Sequence, residues 1–333
     1  MSRPDSHWLQ QQWYRVSVWH LGLLPVAALF WLLSGLRRLF YKLGLLHSHE
    51  LAVPVIVVGN ISVGGTGKTP LVIWLVDWLK QQGLRPGIIS RGFGGNANAS
   101  LPVDAKSNPL IVGDEPVLLA RRTQSPVWVG RNRVAAGRAL LTAHPDCNVL
   151  ISDDGLQHYA LLRDVEIAVV DGSRGFGNGW LLPAGPLREL PARLKTVDAV
   201  VSNGGKSLAG TLAMQLKSIG FHNVLEPTKT ASAADFSGLR LHAVAGIGNP
   251  QCFFEQLRSM GLDFESQAYP DHHAFQPADL QIADAEAILM TEKDAVKCMA
   301  FAQPHWWYLQ VDAEVDEILG QRILQKLRNL GRI

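Results

Sequence analysis

A glycine-rich turn, residues 59–70, constrains the fold more than any other stretch of this chain. It reads Gly-Asn-Ile-Ser-Val-Gly-Gly-Thr-Gly-Lys-Thr-Pro. The apolar run before it, residues 53–58, is short and rich in β-branched residues, which is typical of a buried parallel strand. Apolar residues follow it at helical spacing from Leu71 to Leu79. The sequence therefore predicts a strand, a glycine loop and a helix in succession.

The same turn predicts a binding site for a nucleoside triphosphate. Backbone N–H groups of a glycine loop at a helix start can surround a polyphosphate. Lys68 would reach the outer phosphates, and the Thr69 hydroxyl would hold Mg²⁺. The general G-x-x-x-x-G-K-[ST] pattern requires glycine where this chain has Ser62, so a plain strand-to-helix turn is the alternative. The loop residues expected around the phosphates are Gly64, Gly65, Thr66, Gly67, Lys68 and Thr69.

Composition limits the class of protein. A length of 333 residues suffices for about two domains. A net charge of +2 with 18% charged residues indicates neither a nucleic-acid-binding surface nor disorder. The three cysteines are far apart and form no C-x-x-C pair, so we expect neither a disulfide framework nor a zinc site. A reducing cytosol suits such a chain.

An apolar N-terminal segment, residues 16–36, contains no Asp, Glu, Lys or Arg. About twenty such residues can cross a bilayer, although a helix lying in the interface would satisfy the same pattern. A cleaved signal peptide is disfavoured because the lead-in is long and weakly basic. Arg37, Arg38 and Lys42 follow the segment and favour the cytoplasmic side for the globular part. We expect a membrane-associated segment over residues 1–45.

Adjacent acidic residues occur at two places, after a predicted strand and at the start of a predicted helix. Asp153 and Asp154 come directly after an apolar run, where a phosphate loop needs a carboxylate for Mg²⁺. A simple turn-forming role is the alternative. Asp114 and Glu115 precede an apolar helical pattern and could be a base or metal ligand, or merely helix N-terminal charges. Arg133 lies at the start of another helix, where it could contact phosphate or face solvent.

Two loops carry further candidates. Residues 172–189 are dense in Gly and Pro but also apolar, which suits contact with an amphiphilic substrate or packing under a long loop. In the second loop, residues 269–275, His272 and His273 could bind a metal only with a third ligand, and none is suitably spaced. Asp271 and His272 could instead tune or assist a base. Gly246-Ile247-Gly248-Asn249 is only a partial dinucleotide fingerprint, so we interpret it as a strand-to-helix turn.

The sequence pattern changes near residue 211, and the expected domain boundaries follow from this change. We expect a P-loop core domain over residues 46–210, an extended linker over 211–236 and a smaller α/β domain over 237–333. The final helix is expected from Val315 to Leu330. Pro70 is expected at helix position N1 or N2, where no N–H is required.

Taken in order, the motifs resemble one family over nearly the whole chain, the tetraacyldisaccharide 4'-kinases of lipid A biosynthesis. The segments that carry the resemblance are residues 64–70, 90–92, 113–116, 153–158, 182–189, 271–272 and 291–295. The resemblance implies a P-loop-containing α/β/α sandwich with a second, smaller α/β domain, a cleft between them and an N-terminal membrane helix. It implies transfer of the ATP γ-phosphate to the 4'-hydroxyl of a tetraacyldisaccharide 1-phosphate, giving lipid IVA, at the cytoplasmic face of the bacterial inner membrane.

The resemblance also implies roles for individual residues. Lys68 and Thr69 would serve phosphate and Mg²⁺, and Asp153 and Asp154 the metal. Asp114 would act as base toward the substrate hydroxyl, with His272 tuning it. Weaker candidates for substrate contact are Glu115, Arg133, Gln157 and Arg188.

Two other classes of protein share part of these features. A membrane-bound P-loop nucleotide switch or assembly ATPase has a similar glycine loop, but with an additional lysine where this chain has Val63. A non-catalytic lipid-binding anchor would have no use for Lys68, Asp114 and Asp153. Membrane lipid and the acylated disaccharide phosphate are thus the expected partners, and the sequence predicts no nucleic acid and identifies no protein partner.

Overall fold

The structure, a computed structural model, describes residues 12–15, 17, 19–92, 99–205 and 210–333. Most of the lead-in to the expected membrane segment, residues 1–11, and positions 16 and 18 lie outside the described residues, as does part of the loop expected after residue 92. The helices described are α1 (Trp19–Lys42), α2 (Lys68–Gln81), α3 (Pro109–Val112), α4 (Asp114–Thr123), α5 (Arg133–Ala143), α6 (Pro250–Ser259), α7 (Glu292–Cys298) and α8 (Ile318–Asn329). The strands described are β1 (Val55–Gly59), β2 (Pro86–Ser90), β3 (Leu101–Val103), β4 (Val127–Val129), β5 (Val149–Asp153), β6 (Val165–Asp171), β7 (Ala199–Asn203), β8 (Leu212–Asn223), β9 (Thr230–Ala231), β10 (Leu241–Ala245), β11 (Phe264–Ala268), β12 (Ala287–Thr291) and β13 (Trp306–Val315).

The described strands form one continuous 13-stranded sheet. Its N-terminal half has the order β7-β6-β1-β5-β2-β4-β3, and every pair in it is parallel except β3 with β4. The central strand β1 is buried along its whole length between β5 and β6. This is the arrangement expected for near-continuous apolar runs that are covered by helices on both faces.

The C-terminal half has the order β11-β10-β12-β13-β8 and joins the first half where β8 pairs with β7. The segment expected as a linker, 211–236, contains β8, β9 and a short 3₁₀ helix at Ala233–Phe236. Strand β8 also pairs antiparallel with β13. The two halves are therefore connected through a hydrogen-bonded ladder.

The last helix returns to the first half of the molecule. Leu319, Ile323 and Leu327 of α8 are buried in the same apolar cluster as Leu71 and Leu75 of α2. The helix begins at Ile318 and not at the expected Val315, because Val315 still pairs with Met214 as the end of β13. The C-terminus thus helps to hold the helix that follows the glycine turn.

Helix α1 lies apart from the core. It is the one helix in the described residues that is long and apolar enough to cross a membrane, with a mean hydropathy of 1.6, and only 11% of that window is buried. Several of its large apolar side chains, among them Leu21 and Leu33, are more than half exposed. An ion pair of 3.2 Å between Arg38 of α1 and Glu189 connects this helix to the globular part of the chain. The expected α/β class with an apolar N-terminal helix is confirmed.

Candidate active site

The glycine turn, here called the phosphate loop (residues 59–70), joins β1 to α2 as expected. Gly67 caps the helix with φ of 90°, a conformation that favours glycine. Pro70 is the third helical residue and not N1 or N2, but this position is also free of an intrahelical N–H bond. Helix and loop therefore present backbone N–H groups, the arrangement that binds phosphate.

Two asparagines support the phosphate loop. Asn60 Nδ2 donates to the Thr66 hydroxyl at 3.3 Å, and Asn203 Nδ2 donates to the Thr66 carbonyl at 3.2 Å. Thr66 is buried, and the hydrogen bond from Asn60 to its hydroxyl joins two parts of the loop. The sequence pattern did not indicate a role for Asn203, because it lies 137 residues from Thr66.

Lys68 and Asp154 form an ion pair beside the loop. Lys68 Nζ lies 3.6 Å from Asp154 Oδ1, and Arg188 Nη1 lies 3.1 Å from the same carboxylate. Burial alone would raise the pKa of Asp154, but Lys68 and Arg188 outweigh it and hold that pKa well below its usual range. Asp154 is thus a fully ionised partner of two cations.

Asp153 has a different environment, although it is the preceding residue. It is fully buried, and Ser90 Oγ donates to its Oδ2 at 3.3 Å. Its Oδ1 has no hydrogen-bond partner among the described residues. Burial and the nearby Glu115 carboxylate raise the pKa of Asp153 to about 7. An unsatisfied carboxylate of this kind is costly unless a cation binds it.

These observations fit a Mg²⁺ site formed with a bound nucleotide. Mg²⁺ takes oxygen ligands and commonly uses only one or two protein groups together with water and phosphate. Asp153 offers an unpartnered oxygen, and Thr69 lines the cavity next to the phosphate loop. The described residues contain no group of three His, Cys, Asp or Glu side chains that could hold a metal by themselves. Asp154 already forms ion pairs with Lys68 and Arg188, which favours Asp153 as the direct ligand of Mg²⁺.

Asp114 and His272 meet across the two halves of the sheet. His272 Nδ1 lies 3.0 Å from Asp114 Oδ1 and 3.1 Å from Oδ2. Burial alone would raise the pKa of Asp114, but Lys293 and His272 outweigh it and lower that pKa to about 2. Burial opposes a charged imidazole, yet the bond to Asp114 raises the pKa of His272. The two groups therefore favour an ion pair.

Two lysines of α7 complete this cluster, and neither is among the site residues predicted from the sequence. Lys293 Nζ lies 3.0 Å from Glu115 and 3.4 Å from Asp271. Lys297 Nζ lies 3.9 Å from Asp114 and 2.6 Å from Asp294. Their spacing of four residues within one short helix places them on one face and was the available signal.

Two cavities adjoin these residues. The first, of about 760 Å³, lies beside the phosphate loop and is lined by both halves of the sheet, including Lys68, Glu115 and Lys293. The second, of about 550 Å³, lies between α1 and the body and includes Asp154 and Arg188. Because Lys68 lines one cavity and Asp154 the other, their ion pair marks the boundary between them.

The weaker candidates lie in two places. Arg133, Gln157 and Arg188 line the second cavity, and Glu115 lines the first. Arg133 is buried and donates to the Asp154 carbonyl at 3.4 Å, and burial lowers its pKa to about 10. Gln157 donates to the Asn60 carbonyl at 3.0 Å. Most of the sequence-predicted site residues thus line one of these two cavities, and their chemical roles stay predictions. The exceptions, which line neither cavity, are Gly64, Asp114, Asp153 and His272.

A glycine loop between a parallel strand and a helix, with a lysine, a hydroxyl and strand-end carboxylates beside it, defines a P-loop nucleotide-binding protein. The model of the tetraacyldisaccharide-1-P 4'-kinase family matches residues 19–328. The chain belongs to this family.

Similar proteins cover nearly the whole chain. A tetraacyldisaccharide 4'-kinase from Methylobacillus flagellatus is 54% identical over 99% of this chain and 98% of its own length. One from Nitrosococcus oceani is 50% identical over 98% of this chain and 96% of its own length. Among solved structures, LpxK from Aquifex aeolicus in complex with ATP has a TM-score of 0.78 and 28% identity, and the match covers 93% of this chain and 99% of that one.

Proposed function

We propose that this chain transfers the γ-phosphate of ATP to the 4'-hydroxyl of an acylated disaccharide 1-phosphate, giving lipid IVA in lipid A biosynthesis. The observation that carries the proposal is the boundary between the cavities. Lys68 lies at the phosphate loop on one side, and its partner Asp154 faces the second cavity on the other. A phosphoryl donor and an acceptor must meet at such a boundary, because the transferred group passes in line between them.

The second cavity has both apolar and cationic side chains in its lining, which suits an acylated sugar phosphate. Its walls include Phe30 and Trp31 of α1 and Leu181 and Leu182 of the long loop. They also carry the arginines Arg37, Arg38, Arg91, Arg131, Arg133 and Arg188. Guanidinium groups bind phosphate through paired N–H donors, and the apolar wall adjoins a helix suited to membrane. We assign this cavity to the acceptor and the first cavity to ATP.

The reaction divides the charged residues into two sets. Lys68 and the phosphate-loop amides stabilise negative charge on the transferred group. Thr69 and Asp153 would hold Mg²⁺, which would supply further charge neutralisation at the phosphates. Asp114 accepts the proton of the attacking hydroxyl, and His272 orients its carboxylate. Its low pKa suits a base that takes the proton late, when the oxygen has already bonded to phosphorus.

Asp114 is shielded in this conformation, with 4% of its surface exposed. We therefore propose that the loop carrying His272 moves when substrates bind. The proposed domain division, a core over 46–210, a connecting segment over 211–236 and a smaller domain over 237–333, would allow this movement. Relative motion of two domains around a cleft is common in phosphotransferases.

The enzyme is proposed to act at the cytoplasmic face of the inner membrane. Support comes from the exposed apolar side chains of α1 and from Arg37, Arg38 and Lys42 at its C-terminal end. Positive charges next to an apolar segment favour the cytoplasmic side. ATP is also available there.

A transfer assay tests the proposal directly. Purified protein is incubated in detergent with γ-labelled ATP, Mg²⁺ and the acylated disaccharide phosphate, with Lys68→Ala as the matched inactive control. We expect label on the lipid, at the 4' position by mass spectrometry. Release of inorganic phosphate with no labelled lipid would refute the kinase and indicate a nucleotide switch.

A further inference from the structure

Arg174 lies where the phosphate loop meets the C-terminal half of the sheet. Its Nη2 donates to the carbonyl of Gly65 in the phosphate loop. Its Nη1 donates at 3.1 Å to the carbonyl of Gly248, in the turn after β10. One guanidinium therefore bonds the two halves at the nucleotide cavity.

The position of this guanidinium is well defined. Arg174 Nε donates to Asp171 Oδ2 at 2.6 Å. The other oxygen, Asp171 Oδ1, accepts from the Ser173 hydroxyl at 2.6 Å and from the Arg174 backbone N–H at 3.1 Å. On another side the guanidinium lies 5.8 Å from the centre of the Tyr14 ring. These contacts fix the orientation of the guanidinium N–H donors of Arg174 before any nucleotide binds.

The two loops bridged by Arg174 touch backbone to backbone. A Cβ atom added to Gly248 would lie 2.7 Å from the Gly65 nitrogen and 3.4 Å from the Gly64 Cα. Only glycine allows this approach without a shift of one loop. The carbonyl oxygens of Gly65 and Gly248 are brought together by this approach and each needs a hydrogen-bond donor. The planar guanidinium of arginine supplies two donors in fixed geometry, whereas the ammonium group of lysine is a single point charge.

We propose that Arg174 is a positioning residue that seats the 246–249 turn on the phosphate loop and thereby closes the nucleotide cavity. This inference rests on ATP binding at the phosphate loop. Closure excludes water from the phosphates, so that the γ-phosphate passes to the lipid hydroxyl and not to water. The lysine and acids around the transferred group perform the chemistry, whereas Arg174 holds the cavity closed.

The test measures lipid phosphorylation and inorganic phosphate release in parallel, with ATP varied. The variants are Arg174→Ala, Arg174→Lys, Gly248→Ala and the double variant Arg174→Ala/Gly248→Ala. Arg240→Ala is the matched control, since Arg240 is an exposed arginine of the C-terminal half, paired with Glu286 at 3.6 Å. Thermal unfolding of each variant identifies any that do not fold.

We expect Arg174→Ala and Gly248→Ala each to raise the KM for ATP about tenfold, within the range of measured coupling between sites. Both should also raise the ratio of phosphate released to phosphate transferred, which a general loss of stability would not do. Arg174→Lys should not restore either value. Because both substitutions remove the same loop contact, the double variant should be no worse than the more damaged single variant.

Additive effects in the double variant, full rescue by Arg174→Lys or wild-type kinetics in Arg174→Ala would each overturn this inference. These outcomes are separate from a failure of the proposed kinase. If the wild-type chain itself transfers no phosphate to lipid, the proposed function fails. If it does so and the variants match Arg240→Ala, only the role of Arg174 is wrong.

Discussion

His272 Nδ1 lies 3.0 Å from Asp114 Oδ1, although 158 residues separate the two positions. Asp114 begins α4 beside the N-terminal half of the sheet, and His272 lies in the loop after β11 of the C-terminal half. The pair therefore exists only when the two halves are assembled.

Asp114→Asn should lower kcat about 10²- to 10⁴-fold, the range for loss of a general base, and leave the KM for ATP nearly unchanged. The amide keeps the size of the side chain but cannot accept the proton. Steady-state kinetics with each substrate varied measures this. Asn108→Ala, in the cap of the preceding helix, serves as a nearby structural control. A tenfold weaker ATP affinity with intact turnover would assign Asp114 another role.

The pair of Asp114 and His272 should also make stability depend on pH. The pKa of His272 is raised above its ordinary value of 6.5 because Asp114 favours the charged imidazole. The contribution of this ion pair to the free energy of unfolding is therefore fully present below pH 6.5 and is lost as pH rises through the raised pKa of His272. The free energy of unfolding of the wild type minus that of His272→Gln, from urea titrations, should decrease from pH 6 to pH 9. An unchanged or growing difference over this interval would contradict the ion pair.

Asp153→Asn should raise the Mg²⁺ concentration needed for half-maximal activity at least about 10-fold, because loss of even an outer-shell partner of a metal typically costs about 10- to 100-fold in affinity. The unpartnered oxygen of Asp153 is the one that a cation would bind. Mg²⁺ titrations at saturating ATP test this. Asp146→Asn, an exposed acid that precedes the same strand, is the control. An equal effect of both variants would argue against a metal role for Asp153.

Arg37→Ala should raise the KM for the acylated acceptor up to about fivefold without changing the KM for ATP. Arg37 lines the second cavity and is exposed, so its contact with phosphate is partly screened by solvent. Lys42→Ala, at the end of the same helix but away from the cavity lining, is the matched control. A shift in the KM for ATP alone would exclude Arg37 from the acceptor site.

Much of the local structure could be predicted from the sequence. Apolar β-branched runs followed by glycine indicate parallel strands and turns, and the strand before Asp153 and the helix after Lys68 were both expected. The boundary between β13 and α8 was expected too early because Val315 suits a strand or a helix equally by its apolar character. Its pairing with Met214 decided the assignment. A partner 101 residues away leaves no local signal.

The glycine loop, its lysine and threonine and the acids at strand ends were determined by the sequence alone, because phosphate binding depends on local backbone geometry and on residue type. Only the tertiary structure decided how Asp153 and Asp154 differ. Asp153 is fully buried with one carboxylate oxygen that has no hydrogen-bond partner in the described part of the chain, and Asp154 is paired with Lys68 and Arg188. The tertiary structure alone brought Lys293 to Glu115 and Arg174 to Gly248. The physical reason is that burial and charge pairing are set by distances between segments far apart in the chain, which no local pattern encodes.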